Sequence, residues 1–190
     1  MARDKHGMRQ DELDANLMQA AYAGAVEIVR SFLELGANPL KEHEGGTTAL
    51  MLAADSGRAA CVRMLGPVSD IGARDHKGRS AFHFAADSQS INVDTLAELL
   101  ALGGSPGGSC HAGKTPLMMA CANRTWGIIE MLLPCSDILS RGADGLSALD
   151  IAVKNRNNAA AQKLLPLTEQ AEISRASPTA SARMANMGRL

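Results

Sequence analysis

The residues best spaced for chemistry lie between Gly108 and Thr115. Gly108-Ser109-Cys110-His111-Ala112-Gly113-Lys114-Thr115 satisfies G-x-x-x-x-G-K-[ST], the pattern in which backbone N–H groups and a lysine converge on phosphate. That chemistry needs a buried strand before the glycines and a helix after the threonine. Leu96, Leu99 and Leu100 instead carry helical spacing on the near side, and Pro116 removes an N–H directly after Thr115. No later aliphatic run ends in an aspartate that would hold magnesium. Nucleotide binding through Gly108 to Thr115 is therefore kept as the alternative function.

Three other constellations invite the same question. Cys110, His111, Cys121 and Cys135 are metal-ligand types, but they lack the paired spacing that brings two zinc ligands from one turn, so no metal site and no cofactor are assigned. His83 stands three residues after Ser80 without a nucleophile and carboxylate at triad-like positions, which makes it a structural imidazole bonded to a hydroxyl or a loop carbonyl. Asp55 and Asp87 imitate an acid/base pair. They recur at one repeat position, however, and read as a solvated acidic row with about 8 to 10 Å between adjacent helices. No catalytic residue is assigned, and the chain is read as a non-enzyme.

The elements that position these residues repeat. Apolar keys at Leu17, Leu50, Phe82, Leu117 and Leu149 are separated by 33, 32, 35 and 32 residues, a period that means stacked supersecondary units. In the first unit Leu17, Ala20 and Ala21 share one face of a short helix. Gly24 ends it, and Ile28, Val29, Phe32 and Leu33 mark a second helix before Gly36-Ala37-Asn38-Pro39. The later units repeat the alanine pair and the aliphatic second helix. Unit three takes an insertion at 88–92 between its helices. Asn157 to Gln162 read as a polar terminal cap on unit five. Each pair alone would leave an apolar face wet, so at least three must stack.

Composition agrees. Of 190 residues, 46% are apolar and 21% charged, which excludes disorder throughout, and the 3% aromatic content suits close-packed small helices. A net charge of -1 gives no general attraction to phosphate backbones, so nucleic acid is not the expected partner. No apolar run is long enough for a membrane span, and Met1 to Asp14 carries no secretory pattern. Reduced thiols in the cytosol or nucleus are expected.

The stretches Asp75–Asp87 (DHKGRSAFHFAAD) and Gly113–Asn123 (GKTPLMMACAN), with looser copies at Gly45–Gly57 and Ala143–Asn155, resemble the ankyrin repeat family. The resemblance covers about 11–165 and implies an all-α ankyrin-repeat solenoid of about five helix-turn-helix repeats with finger-like loops. The repeats fall near 11–39, 43–71, 75–106, 110–138 and 142–165, between a polar segment 1–10 and a flexible tail 166–190. Departures are visible. Only Thr115-Pro116 keeps the Thr-Pro step, although Thr48, Ser80 and Ser147 retain a capping hydroxyl. Gly66-Pro67 shortens the second helix of unit two and marks a soft spot. The helix-ending glycine is missing at Arg124 and Arg156, where Asn123 or Asn155 is expected to take the left-handed turn.

The resemblance implies a protein-protein interaction module, an adaptor, inhibitor or assembly scaffold, that is a monomer and holds another protein. The partner strip carried over by position comprises the fingertips Glu44, Thr47, His76, Lys77, Arg79, His111, Lys114, Asp144 and Leu146. The exposed first-helix row comprises Tyr22, Asp55, Ser56, Asp87, Ser88, Asn123, Lys154 and Asn155. Basic middle fingers beside Asp55 and Asp87 suit a segment that offers acidic groups to the fingers and a Lys or Arg to the helix row. Tyr22 and Trp126 are the aromatic candidates for contact energy. Ser177-Pro178, preceded by Arg175, is a candidate phosphorylation site, and the terminal Gly188-Arg189-Leu190 departs from a peroxisomal signal.

Overall fold

The computed structural model describes residues 8–88, 93–123 and 125–176, and over these the helix pairs form in the expected order. The first helices are α1 (Gln10–Ala23), α3 (Ala49–Asp55), α5 (Ala81–Asp87), α7 (Pro116–Asn123) and α9 (Ala148–Lys154). Each is followed by its second helix: α2 (Val26–Glu34), α4 (Ala59–Leu65), α6 (Val93–Ala101), α8 (Trp126–Leu132) and α10 (Asn158–Ala176). First helices pack on first helices and second on second, giving two layers. Ala21, Ala54, Ala86 and Cys121, one per unit, are all fully buried where successive first helices meet. Small side chains there let the helix axes approach closely. Val29, Val62, Leu96 and Ile129 are the fully buried counterparts in the second layer. The wider break between Asp87 and Val93 falls where the insertion is expected; residues 89–92 lie outside the described residues.

Hydroxyl caps start the first helices. Thr48 Oγ1 accepts from the Met51 N–H at 3.4 Å, Thr115 Oγ1 from the Met118 N–H at 3.3 Å, and Ser147 Oγ from the Asp150 N–H at 3.2 Å. Asp150 answers by accepting the Ser147 N–H at 2.9 Å, a reciprocal capping pair. The Ser147 N–H and the Ser147 hydroxyl, which donates to Asp150 Oδ2 at 2.7 Å, together with Arg141 hold the Asp150 carboxyl below the usual range against the opposing effect of burial.

The turn between paired helices corrects one expectation. After α1 the Ala25 N–H bonds the Ala20 carbonyl and Gly24 sits at φ 82°; after α3 the Arg58 N–H bonds the Ala53 carbonyl and Gly57 sits at φ 67°. After α9 the same bond joins the Asn157 N–H to the Ala152 carbonyl at 2.8 Å, and Arg156 itself adopts φ 55°. Asn155 stays at φ -89° and instead donates its side-chain amide to the Ile151 carbonyl. The hydrogen bond fixes which position must be left-handed, so an arginine takes the strain there. Arg124 lies outside the described residues, and Asn123 is the last residue of α7.

Three further features differ from the sequence reading. Gly66 begins a 3-10 turn, as the shortened helix requires, but the place is filled: a Cβ on Gly66 would lie 2.2 Å from Leu102 Cδ1. Leu102 of the next unit therefore occupies the space that the missing side chain vacates. The segment Pro67-Val68-Ser69-Asp70-Ile71 recurs as Pro134-Cys135-Ser136-Asp137-Ile138, and both copies follow a seven-residue helix with a proline-bearing 3-10 turn. The last helix does not stop at Leu165. Ala160, Leu164 and Thr168 form a buried stripe at helical spacing that carries α10 past Pro166 to Ala176, so the boundary expected at 165/166 falls inside a helix. Residues 177–190, with Ser177-Pro178 and the terminal Gly-Arg-Leu, lie outside the described residues.

The expected polar cap is only partial. Asn158, Ala159 and Gln162 are exposed, but Asn157 and Ala160 are buried, and Val153 and Leu165 are 61% and 50% exposed. Among the described residues no helix is long and apolar enough to cross a membrane.

Candidate functional site

The finger loops are built from one turn used four times. In each, a glycine with positive φ (Gly46, Gly78, Gly113, Gly145) closes the turn, and its N–H bonds the carbonyl three residues earlier. A cross-unit ladder then ties finger to finger. The His76 N–H bonds the Gly45 carbonyl at 2.8 Å, the His111 N–H bonds Lys77 at 2.9 Å, and the Ala143 N–H bonds Ala112 at 2.9 Å. A Cβ on Gly46, Gly78 or Gly113 would meet the backbone of the following finger at 3.0 Å or less, so glycine also permits the close approach.

This geometry bears directly on the phosphate-loop alternative. The N–H groups of Cys110, His111 and Gly113 are spent on Lys114, Lys77 and Cys110 carbonyls, and the regular element that precedes them is helix α6, which ends at Ala101. Donors already paired within the finger stack do not converge on a phosphate. Cys110 and Cys121 are buried free thiols, Cys61 is too, and Cys135 is an exposed one. Burial pushes the Cys121 thiol up to about 12, far from a nucleophilic thiolate.

His83 is a satisfied structural imidazole. Its Nδ1 accepts the Ser80 N–H at 3.1 Å and lies 2.9 Å from Ser80 Oγ, while Nε2, as the protonated nitrogen, donates to the Lys114 carbonyl at 3.1 Å. The side chain thus pins α5 to the finger that Gly113 closes. Burial pushes its pKa down, and the nearby Arg74 and Arg79 charges reinforce the shift.

Arg79 is not a free fingertip. Its Nε donates to Asp75 Oδ2 at 2.8 Å, its N–H to Asp75 Oδ1 at 2.7 Å, and its guanidinium lies 4.3 Å from the centre of the Phe84 ring. Asp75 is 5% exposed; burial alone would raise its pKa, yet the bonds from Arg79 and Lys77 hold it below the usual carboxylate range. Ser88 is also withdrawn, at 3% exposure, because its N–H continues the α5 pattern to the Phe84 carbonyl and turns it inward. Ser56 turns its hydroxyl back onto the Leu52 carbonyl at 2.9 Å, and Thr47 bonds the Glu44 carbonyl at 3.1 Å. These four are scaffold groups by geometry.

Other positions do face outward. Glu44, His76, Lys77, His111 and Asp144 are exposed at the fingertips, and Tyr22, Asp87, Asn123 and Lys154 along the helix row. Asn123 donates to Asp87 Oδ1 at 3.1 Å, linking the row across units. Asp55 is half-buried. Burial raises its pKa first, the Asp87 charge raises it further, and Arg79 opposes both. The acidic row is therefore electrostatically coupled, where the spacing argument expects separate solvated groups.

Two grooves run between fingers and helices. One of about 380 Å³ is lined by Met18, Gln19, Tyr22, His43 and Leu52. Another, of about 300 Å³, gathers Lys114, Asp144 and Leu146 from the fingers and Asp87, Lys154 and Asn155 from the helix row over a floor that includes Met119 and Ile151. Met119 and Ile151 are absent from the sequence-based strip. Their signal was present, one helical turn before Asn123 and Asn155, but both look like core positions when read alone. Trp126 is half-buried at the start of α8 and packs against the core, outside both grooves.

The family model described as ankyrin repeats (3 copies) matches residues 17–105 and 88–176. The chain belongs to the ankyrin-repeat family. It is 35% identical to the E3 ubiquitin-protein ligase KEG of Arabidopsis thaliana over 104 residues, 52% of this chain and 6% of that protein. It is 31% identical to neurogenic locus notch homolog protein 1 of Danio rerio over 146 residues, 74% of this chain and 6% of that protein. The Inhibitor of Apoptosis OPG037 of vaccinia virus is 30% identical over 82 residues, 42% of this chain and 17% of that protein. The chain thus aligns with only a small part of each relative. Ankyrin repeats generally mediate protein-protein interaction, and ankyrin-repeat proteins are typically non-enzymatic scaffolds.

Proposed function

We propose that this ankyrin-repeat protein is a non-enzymatic binding module that seats a segment of another protein between the fingertips and the first-helix row. The observation that carries the reading is the groove of about 300 Å³ that spans units three to five. Apolar Leu146, Met119 and Ile151 stand there between the acids Asp87 and Asp144 and the bases Lys114 and Lys154. An apolar floor with charges of both signs at its rim suits an extended segment that presents one aliphatic or aromatic side chain flanked by charge. Asp55 and Asp87 extend this surface with a coupled acidic pair, which a Lys or Arg of the partner would relieve. Buried free thiols suit a reducing compartment, the cytosol or nucleus.

The test is affinity capture from the source cells with wild type and a Lys114→Glu, Leu146→Glu variant whose circular dichroism is unchanged. Arg79 is left intact because it braces its finger. A partner recovered by wild type and lost by the variant is the expected result. A partner retained equally by both would overturn the groove as the binding surface.

A further inference from the structure

The outer face of unit five continues an interface that the rest of the molecule has completed. Ala21, Ala54, Ala86 and Cys121 are fully buried against the next unit, but their counterpart Val153 is 61% exposed. In the second layer Leu33, Leu100 and Leu133 are each partly covered and pack against the core, while the counterpart Leu165 is 50% exposed. Leu149 and Ala161 stand with these two around an apolar depression. It adjoins a groove of about 600 Å³ bordered by Ile138, Leu139, Glu169 and Glu172. Among the described residues Glu169 and Glu172 enter no ion pair, whereas Arg141, the one basic side chain they place on that groove, is taken by Asp150 at 3.2 Å.

We propose that this face is covered by residues 177–190 of the same chain. That segment holds Arg183 and Arg189 and no acidic residue, which complements the two carboxylates on the rim. It also holds Met184, Met187 and Leu190, flexible apolar side chains of the kind that fill an irregular surface. Reach is ample. Glu172 to Leu165 spans about 10 Å along a helix, while the 14 residues that follow Ala176 extend to about 45 Å. Covering Val153 and Leu165 would give unit five the burial that a following repeat gives to each inner unit, and would shield the exposed end of the stack from association.

Hydrogen exchange on the full chain tests this. In a Met184→Asp, Met187→Asp variant, amides of Ile151–Lys154 and Ala161–Leu165 should exchange about tenfold faster than in wild type, the factor for half-exposed Val and Leu side chains losing cover. Amides of α3 and α4 should not change. A second pair of variants reads the charge. Glu169→Arg with Glu172→Arg should loosen the same amides, and adding Arg183→Glu with Arg189→Glu should restore their protection. Unchanged exchange in the methionine variant, or no restoration on charge reversal, overturns the proposal. So does wild-type protection of these amides that is lost on dilution, because the cover would then be a second copy of the chain. None of these outcomes depends on the groove between fingers and helices.

Discussion

Replacing Arg156 by glycine should stabilise the protein. Arg156 closes the turn between α9 and α10 at φ 55°, in the place where Gly24 and Gly57 stand at 82° and 67°. The conformation is imposed by the Asn157 N–H to Ala152 carbonyl bond, so it does not relax when the side chain changes. A left-handed non-glycine residue costs roughly 1–2 kcal/mol. Glycine gives back about 0.5–1 kcal/mol of that through the greater freedom of the unfolded chain. The net gain is therefore about 0.5–1 kcal/mol, a rise in Tm of about 1–4 °C for a chain of this size. The Arg156 side chain is exposed, so its removal should by itself move stability by less than about 0.5 kcal/mol. Arg156→Ala is the control, since it deletes the side chain and keeps the strain. Urea unfolding of wild type and both variants separates the terms. If Arg156→Gly proves no more stable than Arg156→Ala, the left-handed turn carries no strain and the argument fails.

Other consequences follow from the same geometry. His83 is held neutral by burial, so its contribution is complete above its ordinary pKa of about 6.5. It declines as pH falls below that value, because the unfolded chain then binds the proton more readily. A pH series of urea midpoints should show a fall in this window that a His83→Gln variant lacks. Asp75, held low by Arg79 and Lys77, adds a separate loss only below about pH 4, and Asp75→Asn should remove it. Asp55→Asn should raise stability at neutral pH by a few tenths of a kcal/mol, since burial and Asp87 both penalise the charged form, while weakening any partner that inserts a Lys or Arg; calorimetry with denaturation reads both. Gly66→Leu should cost about 1–3 kcal/mol by overpacking against Leu102, and Leu102→Ala in the same molecule should recover part of it in a double-mutant cycle.

What the sequence made legible was whatever repeats. The five keys, the alanine pairs and the hydroxyl caps are local patterns copied along the chain, so each copy supported the others, and Cys121 was readable as a buried residue because it replaces an alanine. The features it concealed are relational. Nothing local to Gly66 announces that Leu102, a unit away, fills its space. Propensity favours Asn155 for the left-handed turn, but the hydrogen bond from the Asn157 N–H to the Ala152 carbonyl selects Arg156. Arg79 and Ser88 occupy fingertip and row positions by number, yet one is drawn onto Asp75 and Phe84 and the other inward. Pro166 signalled an end, and the buried stripe Ala160-Leu164-Thr168 outweighed it. Position in a repeat thus predicts the backbone well and side-chain freedom poorly.

The single tryptophan gives this stack an unequal optical voice. Trp126 sits half-buried at the head of α8, so its emission reports the environment of unit four and its immediate neighbours, while far-ultraviolet dichroism averages over every helix. In a molecule whose units touch only those beside them, the two signals need not agree. Coincident transitions would mean that the finger ladder and the two helix layers couple all five units into one cooperative body. An emission change that precedes the loss of helical signal would mean that the stack frays from the end nearest Trp126, with units one and two still standing as a folded remnant.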